Sequence, residues 1–151
     1  MYRCTDAIDF SVDGSRMAVA GDNCLVMDFA SKEVIWRPEM GRGPVSLSPD
    51  GARVAQFFGL FDISTGQEIT TGEKEFIGFY QPSALFFTPN GKYVVGGSKG
   101  DGIRVWNGYT AQVIKEFDAF PFPYTISLSP DGSQLAYAGS DSVYILPLEL
   151  K

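Results

Sequence analysis

One short pattern occurs four times along this chain and constrains its fold more than any other feature. It reads FSVDG, LSPDG, FTPNG and LSPDG, and it ends at Gly14, Gly51, Gly91 and Gly132. The successive glycines are 37, 40 and 41 residues apart. Self-similarity at a steady period of this size is typical of repeat architectures, in which every repeat is one supersecondary unit. We therefore expect four similar units packed side by side.

The third repeat shows the content of one unit. Short apolar runs at 84–87, 92–95, 103–106 and 112–117 predict four strands, and the turn TPNG has Pro and Gly where a type I turn favours them. Repeat one predicts its second to fourth strands at 16–20, 25–29 and 33–36, and repeat four predicts strands at 134–138 and 143–146. Four strands in about forty residues make one propeller blade. The predicted fold is all-β, a β-propeller of about four four-stranded antiparallel blades, which is a partial or half propeller.

The predicted blades span approximately residues 1–38, 39–78, 79–120 and 121–151 of a single domain. Repeat two is irregular: the loop between its second and third strands is nearly absent, and Gly59 is the predicted reversal. Apolar runs such as MAVA and YILPL predict strands buried on both faces. Blade four lacks a fourth strand, and exposed strand edges attract other chains. We therefore expect self-association or docking onto another propeller segment.

The charge balance excludes several kinds of partner. The chain has 12 basic and 18 acidic residues, a net charge of −6, and no cluster of basic residues. Nucleic acids and anionic membranes bind clustered cations, so neither is an expected partner. No apolar stretch is long enough to span a membrane, and the start lacks the apolar core of a signal peptide. A cytoplasmic location is expected. Cys4 precedes the first predicted strand of blade one and Cys24 opens the third, so the second strand lies between them and we expect two free thiols.

The four units resemble WD repeats and their YVTN-type and TolB-type relatives. The similarity is carried by segments such as IDFSVDGSRMAVAG, LFFTPNGKYVVGGS and ISLSPDGSQLAYAGS, and it covers nearly the whole chain. The Trp-Asp pair of the family stands here as Met27-Asp28, Phe61-Asp62, Trp106-Asn107 and Leu146-Pro147. The chain has no His, so the hydrogen-bond network around the family's histidine cannot form. The resemblance implies a degenerate WD-like propeller.

Candidate contact residues lie in the linkers between blades. In propellers, ligands generally bind near the central axis, on the face formed by the linkers and by the loops between second and third strands. Rigid aromatic side chains there give a large contact area at small entropic cost. Packing between blades is the competing interpretation, since an aromatic side chain in such a linker more often fills the gap between two blades, and it applies most strongly to Trp36, Phe76 and Phe117. The predicted partner-binding residues are Tyr2, Glu39, Arg42, Phe79, Tyr80, Phe120, Phe122 and Tyr124.

The sequence predicts no catalytic residues, no cofactor and no metal site. Without His, the familiar nucleophilic triad is excluded, and neither GxSxG nor a phosphate-binding Gly-Lys-Ser/Thr motif occurs. The loop carboxylates Asp22, Asp101 and Asp141 lie in different blades without calcium-loop spacing. The expected function is a non-catalytic scaffold that binds a protein or peptide. The alternative is a substrate-gating or substrate-binding propeller segment of a larger hydrolase, peptidase or TolB-type protein.

Overall fold

The computed structural model describes residues 5–21, 24–38, 43–57, 59–69, 82–98, 102–119 and 123–150. Within these ranges it contains fifteen strands and no helix. The strands of blade one are β1 (Thr5–Phe10), β2 (Arg16–Gly21), β3 (Leu25–Asp28) and β4 (Val34–Trp36). Those of blade two are β5 (Val45–Leu47), β6 (Arg53–Gln56), β7 (Gly59–Asp62) and β8 (Glu68–Ile69). Blade three has β9 (Pro82–Phe87), β10 (Tyr93–Ser98), β11 (Gly102–Asn107) and β12 (Val113–Phe117), and blade four has β13 (Thr125–Leu128), β14 (Gln134–Ala138) and β15 (Val143–Pro147).

Each repeat forms its own antiparallel sheet with strands in chain order. Three sheets have four strands, and the sheet of blade four has three within the described residues. The first strands follow one another around an arc, since β1 contacts β5, β5 contacts β9 and β9 contacts β13. This arrangement confirms the predicted all-β propeller of about four blades. The precise limits of the blades stay a prediction.

The four glycines occupy equivalent turns, as the repeat spacing predicts. Their φ angles are 70°, 68°, 68° and 74°, in the left-handed region that glycine adopts without steric cost. Each glycine N–H donates to the carbonyl three residues earlier, at 2.8–2.9 Å. The residue before each glycine is Asp or Asn, and its side chain accepts the hydroxyl proton of a Ser or Thr that begins the turn. The pattern therefore encodes one turn four times.

The prediction for Gly59 is wrong. Gln56 pairs directly with Gly59, so the reversal lies between them and Gly59 is the first residue of β7. The glycine is needed for packing, because a Cβ there would lie 3.0 Å from both the Phe61 ring and the Glu68 carboxylate. The sequence predicts a turn because this glycine stands beside a short loop. The structure shows that glycine is required there because two side chains approach the backbone closely.

Three apolar clusters form the core, and each lies between two consecutive blades. Strands β5 and β6 of blade two are buried at every position, although their sequences VSL and RVAQ contain polar residues. In the apolar run MAVA of β2, buried side chains alternate with partly buried ones. For YILPL in β15 the prediction is wrong, because exposed side chains alternate there with partly buried ones. Blade four packs against blade three on one face only, and its other face is open.

Candidate functional site

The structure describes one of the eight predicted contact residues. Tyr124 lies just before β13, its N–H donates to the Ala138 carbonyl at 2.9 Å, and the residue is 53% exposed. That exposure suits a surface contact. The seven others lie outside the described residues and stay predictions: Tyr2, Glu39, Arg42, Phe79, Tyr80, Phe120 and Phe122.

A cavity of about 420 Å³ lies along the first strands of blades one to three. Its lining includes Ala7 and Asp9 of β1, Pro44 and Val45 at the start of β5, and Ser83 near the start of β9. The cavity lies at the ends where β5 and β9 begin, and Gly43 and Pro44 in its lining directly follow the predicted contact residue Arg42 in the sequence. Its mixed polar and apolar lining suits a peptide.

Polar side chains join the first strands of three blades. The Asp9 carboxylate accepts the Ser46 hydroxyl at 2.9 Å and the Leu47 N–H at 2.8 Å. The Ser46 Oγ accepts the Phe87 N–H at 3.0 Å. Asp9 and Ser46 both stand five residues ahead of their turn glycine, so the same link is made at two successive junctions. It supplies partners to amides on strand edges that no neighbouring strand covers.

A second repeated link uses arginine. Arg16 Nη1 donates to the Gly51 carbonyl at 2.6 Å, and Arg53 Nη1 donates to the Gly91 carbonyl at 3.1 Å and also to that of Gly108. Both arginines stand two residues after a turn glycine and reach the turn of the next blade. Arg53 is buried, and its guanidinium stacks 3.8 Å from the centre of the Tyr109 ring. The sequence reasoning missed both links, although a polar residue recurring at one repeat position was their visible signal.

Aspartates with lowered pKa values cap turns. The Ser11 hydroxyl and the Ser15 N–H lower the pKa of Asp13 to about 2, and the Ser129 hydroxyl and Ser133 N–H do the same for Asp131. These carboxylates are held in their charged form by local turn geometry, which is unlike a general acid or base poised near neutral pH. In the described part of the chain, no group of three or more His, Cys, Asp or Glu could hold a metal ion. Asp141 is exposed, while Asp22 and Asp101 lie outside the described residues.

These pKa shifts predict a loss of stability in acid. A group whose pKa falls from 3.8 to about 2 on folding stabilises the fold above pH 3.8, and that contribution is lost as the pH falls through about 2. The urea midpoint should therefore decrease in this acidic window. Replacing Asp13 and Asp131 by Asn should flatten the decrease, because Asn90 already fills this turn position in blade three. An unchanged pH profile in the double variant would show that other carboxyls cause it.

Cys24 is a buried free thiol, as the sequence predicts, whereas Cys4 lies outside the described residues. Burial raises the pKa of Cys24 to about 11. The thiolate is the reactive form, so Cys24 packs as a small apolar side chain and is not a nucleophile. No helix within the described ranges is long and apolar enough to cross a membrane.

The two ends of the arc carry exposed apolar side chains. On blade one, Ile8 and Phe10 of β1 are 58% and 44% exposed, and Phe10 packs edge-on against Phe29 with ring centres 5.2 Å apart. On blade four, Val143 and Ile145 of β15 are 70% and 64% exposed. Contiguous exposed apolar patches mark interaction surfaces. These end faces are the second candidate contact region.

Comparison with known proteins fits this geometry. The family model described as "WD domain, G-beta repeat" matches residues 75–107. The chain is a protein of WD-like β-propeller repeats. The match includes the TPNG turn, β10 and β11, and it ends on Trp106-Asn107, where the family has its Trp-Asp pair. The other WD-like units carry more altered pairs at that position.

A solved structure shares the fold. Hydrazine synthase from Kuenenia stuttgartiensis superimposes with a TM-score of 0.71 at 19% sequence identity, over 95% of this chain and 46% of that chain. This chain thus spans about half the length of that match. Likeness at this identity shows the fold alone, and propellers host many unrelated activities. No curated protein sequence matches this WD-like chain.

Proposed function

We propose that this chain is a non-catalytic scaffold whose WD-like blades bind a protein or peptide partner. The cavity along β1, β5 and β9 carries the proposal, because its mixed polar and apolar lining at the ends where β5 and β9 begin suits a peptide. WD repeats generally mediate protein interactions. A cytoplasmic location belongs to the same proposal.

The framework around the cavity suits recognition without chemistry. Side-chain links between blades hold the first strands in a fixed relation, so a ligand meets a preformed surface and little ordering entropy is lost on binding. The carboxylates whose pKa values are lowered cap turns, and Asp9, which lines the cavity, is engaged by Ser46 and Leu47. This arrangement supports binding over acid–base catalysis.

Peptide selection tests the scaffold proposal. Peptides selected from a random phage-displayed library against the purified chain should bind with micromolar affinity, measured by fluorescence anisotropy against scrambled versions. Replacing Phe79 and Phe120 together by Ala should weaken binding at least about tenfold, since aromatic anchors dominate such interfaces. The melting temperature should change little. Val12→Ala, an exposed apolar change at the opposite end of the blades, is the matched control and should leave affinity unchanged.

Two results would contradict this proposal. If no selected peptide binds better than its scrambled version, the chain is not a peptide-binding scaffold of this kind. If the double variant loses several degrees of melting temperature without a specific defect in binding, Phe79 and Phe120 are packing residues.

A second function is favoured by one observation. The structural match is an enzyme, and this chain spans 46% of its length. A propeller of this kind can therefore gate or bind substrate beside a catalytic unit in a larger protein. A hydrolase encoded in the same reading frame would favour this alternative.

We also propose that the chain self-associates, which is supported by the exposed apolar faces at both ends of the arc.

A further inference from the structure

Exposure at the first blade contrasts with burial at the same position of every other blade. Ile8 lies six residues ahead of its turn glycine and is 58% exposed. Its equivalents Val45, Leu85 and Ile126 are 5%, 3% and 4% exposed, because each packs on the preceding blade. Blade one thus presents a face that is buried wherever a preceding blade exists.

The last blade shows the reverse contrast. Ile145 pairs with Ala136 in the sheet and is 64% exposed. Its equivalents Val26, Leu60 and Val105 are fully buried, each in the apolar cluster shared with the following blade. Blade four therefore presents a face that is buried wherever a following blade exists.

The two open faces are opposite halves of one interface. The face of blade one carries large apolar residues at the positions that pack backwards in the other blades, namely Ile8, Phe10, Met17, Val19 and Met27. The face of blade four has Ser127 and Ala136, and the corresponding positions of blade two are Ser46 and Ala55, which receive blade three. On this face blade four thus resembles blade two, whereas blade three has Phe86 and Val95 at the same two positions.

The polar contacts of the existing junctions give the docking register. Ser46 Oγ accepts the Phe87 N–H of the next blade, and the equivalent pair across the open ends is Ser127 with the Phe10 N–H, which in this structure donates to Asp9. A Cβ on Gly91 would lie 3.3 Å from Pro49, and a Cβ on Gly132 would lie 2.8 Å from Pro89, in each case the proline in the turn of the preceding blade. A Cβ on Gly14 would meet nothing within 4 Å. The space beside Gly14 matches the place that Pro130 would take.

We propose that blade four of one copy packs on blade one of a second copy in the same manner as consecutive blades within the chain. Two such contacts, related by a two-fold axis, close a ring of eight blades, which lies within the range that propellers adopt. Ser127 meets the Phe10 N–H, Pro130 meets Gly14, and Ile8 and Ile145 are buried in the new junction. This assignment adds the faces and the register to the self-association in the proposed function.

Sedimentation measures the assembly directly. The wild-type chain at about 50 μM, a concentration at which micromolar complexes are mostly associated, should sediment with twice the mass of one chain. Ile8→Glu and Ile145→Glu should each weaken association at least about tenfold, because each places an unpaired charge in the junction. Circular dichroism should show folded β structure in both, since both side chains are exposed in the single chain. Ile114→Glu, at an exposed position of β12 in an interior blade, is the matched control and should leave the mass unchanged.

Mixing the two variants distinguishes head-to-tail packing from contact between like faces. The Ile8→Glu copy keeps an intact blade-four face, and the Ile145→Glu copy keeps an intact blade-one face. An equal mixture should therefore regain dimers through one intact junction, while either variant alone stays monomeric.

A folded wild-type monomer at this concentration overturns the proposal, as do variants that both keep the dimer mass or a mixture that stays monomeric. Peptide binding is measured separately on the Ile145→Glu variant, because Ile145 lies outside the cavity whereas Ile8 lines it. Its loss or retention tests the scaffold function, whereas the mass tests the assembly.

Discussion

Replacing Arg53 by Ala should lower the free energy of unfolding by about 2–5 kcal/mol, because it leaves two buried carbonyls without their donor at about 1–3 kcal/mol each. Arg53 is 5% exposed, and its guanidinium donates to the carbonyls of Gly91 and Gly108, both in blade three. Without it, two buried carbonyls lose their donor, and the stacking on Tyr109 disappears. Urea unfolding followed by circular dichroism measures the change.

The chain offers matched controls for Arg53. Arg16 makes the equivalent bond to Gly51 but is only half-buried, so Arg16→Ala should cost clearly less. Arg53→Lys should recover part of the loss, since the ammonium keeps the charge but lacks the planar fork that reaches two carbonyls. Equal losses for Arg53→Ala and Arg16→Ala would show that burial of the link contributes nothing.

Replacing Trp106 by Ala should cost about 3–5 kcal/mol, the usual range for removing a buried Trp. Trp106 is fully buried in the cluster between blades two and three, with Leu85 and Phe87. The Trp106 ring lies over Gly96, where a Cβ would be 3.0 Å from the ring. Glycine has no side chain that could fill the space left by the missing ring. Thermal and urea unfolding should both report the loss.

Smaller changes at the same position calibrate the Trp106 result. Trp106→Phe should cost markedly less because most of the volume remains. Met27, which fills the equivalent position in blade one, lies on the open face, and Met27→Ala should have a small effect in the single chain. A loss for Met27→Ala as large as that for Trp106→Ala would mean that blade one is already covered.

Much of this fold follows from the sequence because each repeat encodes its structure locally. The turn glycines predict four left-handed turns, and the apolar runs between them predict the strands to within a few residues. The prediction of a turn at Gly59 is wrong because glycine is required there by the close approach of Phe61 and Glu68, which the adjacent sequence does not show. Exposure of YILPL was missed for a similar reason: burial of a strand depends on whether another blade covers it.

The candidate site was less predictable than the fold. The sequence pointed to aromatic residues in the linkers between blades, and Tyr124, the one that the structure describes, is exposed as a contact residue must be. The links through Asp9, Ser46, Arg16 and Arg53 were missed, because each joins residues 35–55 positions apart and its geometry depends on how two blades pack. A side chain that reaches the next repeat is visible only when both repeats are placed.

Each of the fifteen strands that the structure describes pairs with a neighbour in sequence, and none of them crosses from one sheet to another. Each sheet can therefore complete its hydrogen bonds from local segments alone, so the chain can fold one repeat at a time while it is being synthesised. The same independence bears on evolution. Duplication or loss of one repeat would lengthen or shorten the arc by a single junction and leave the others intact, so an array of this kind can change in size without being redesigned.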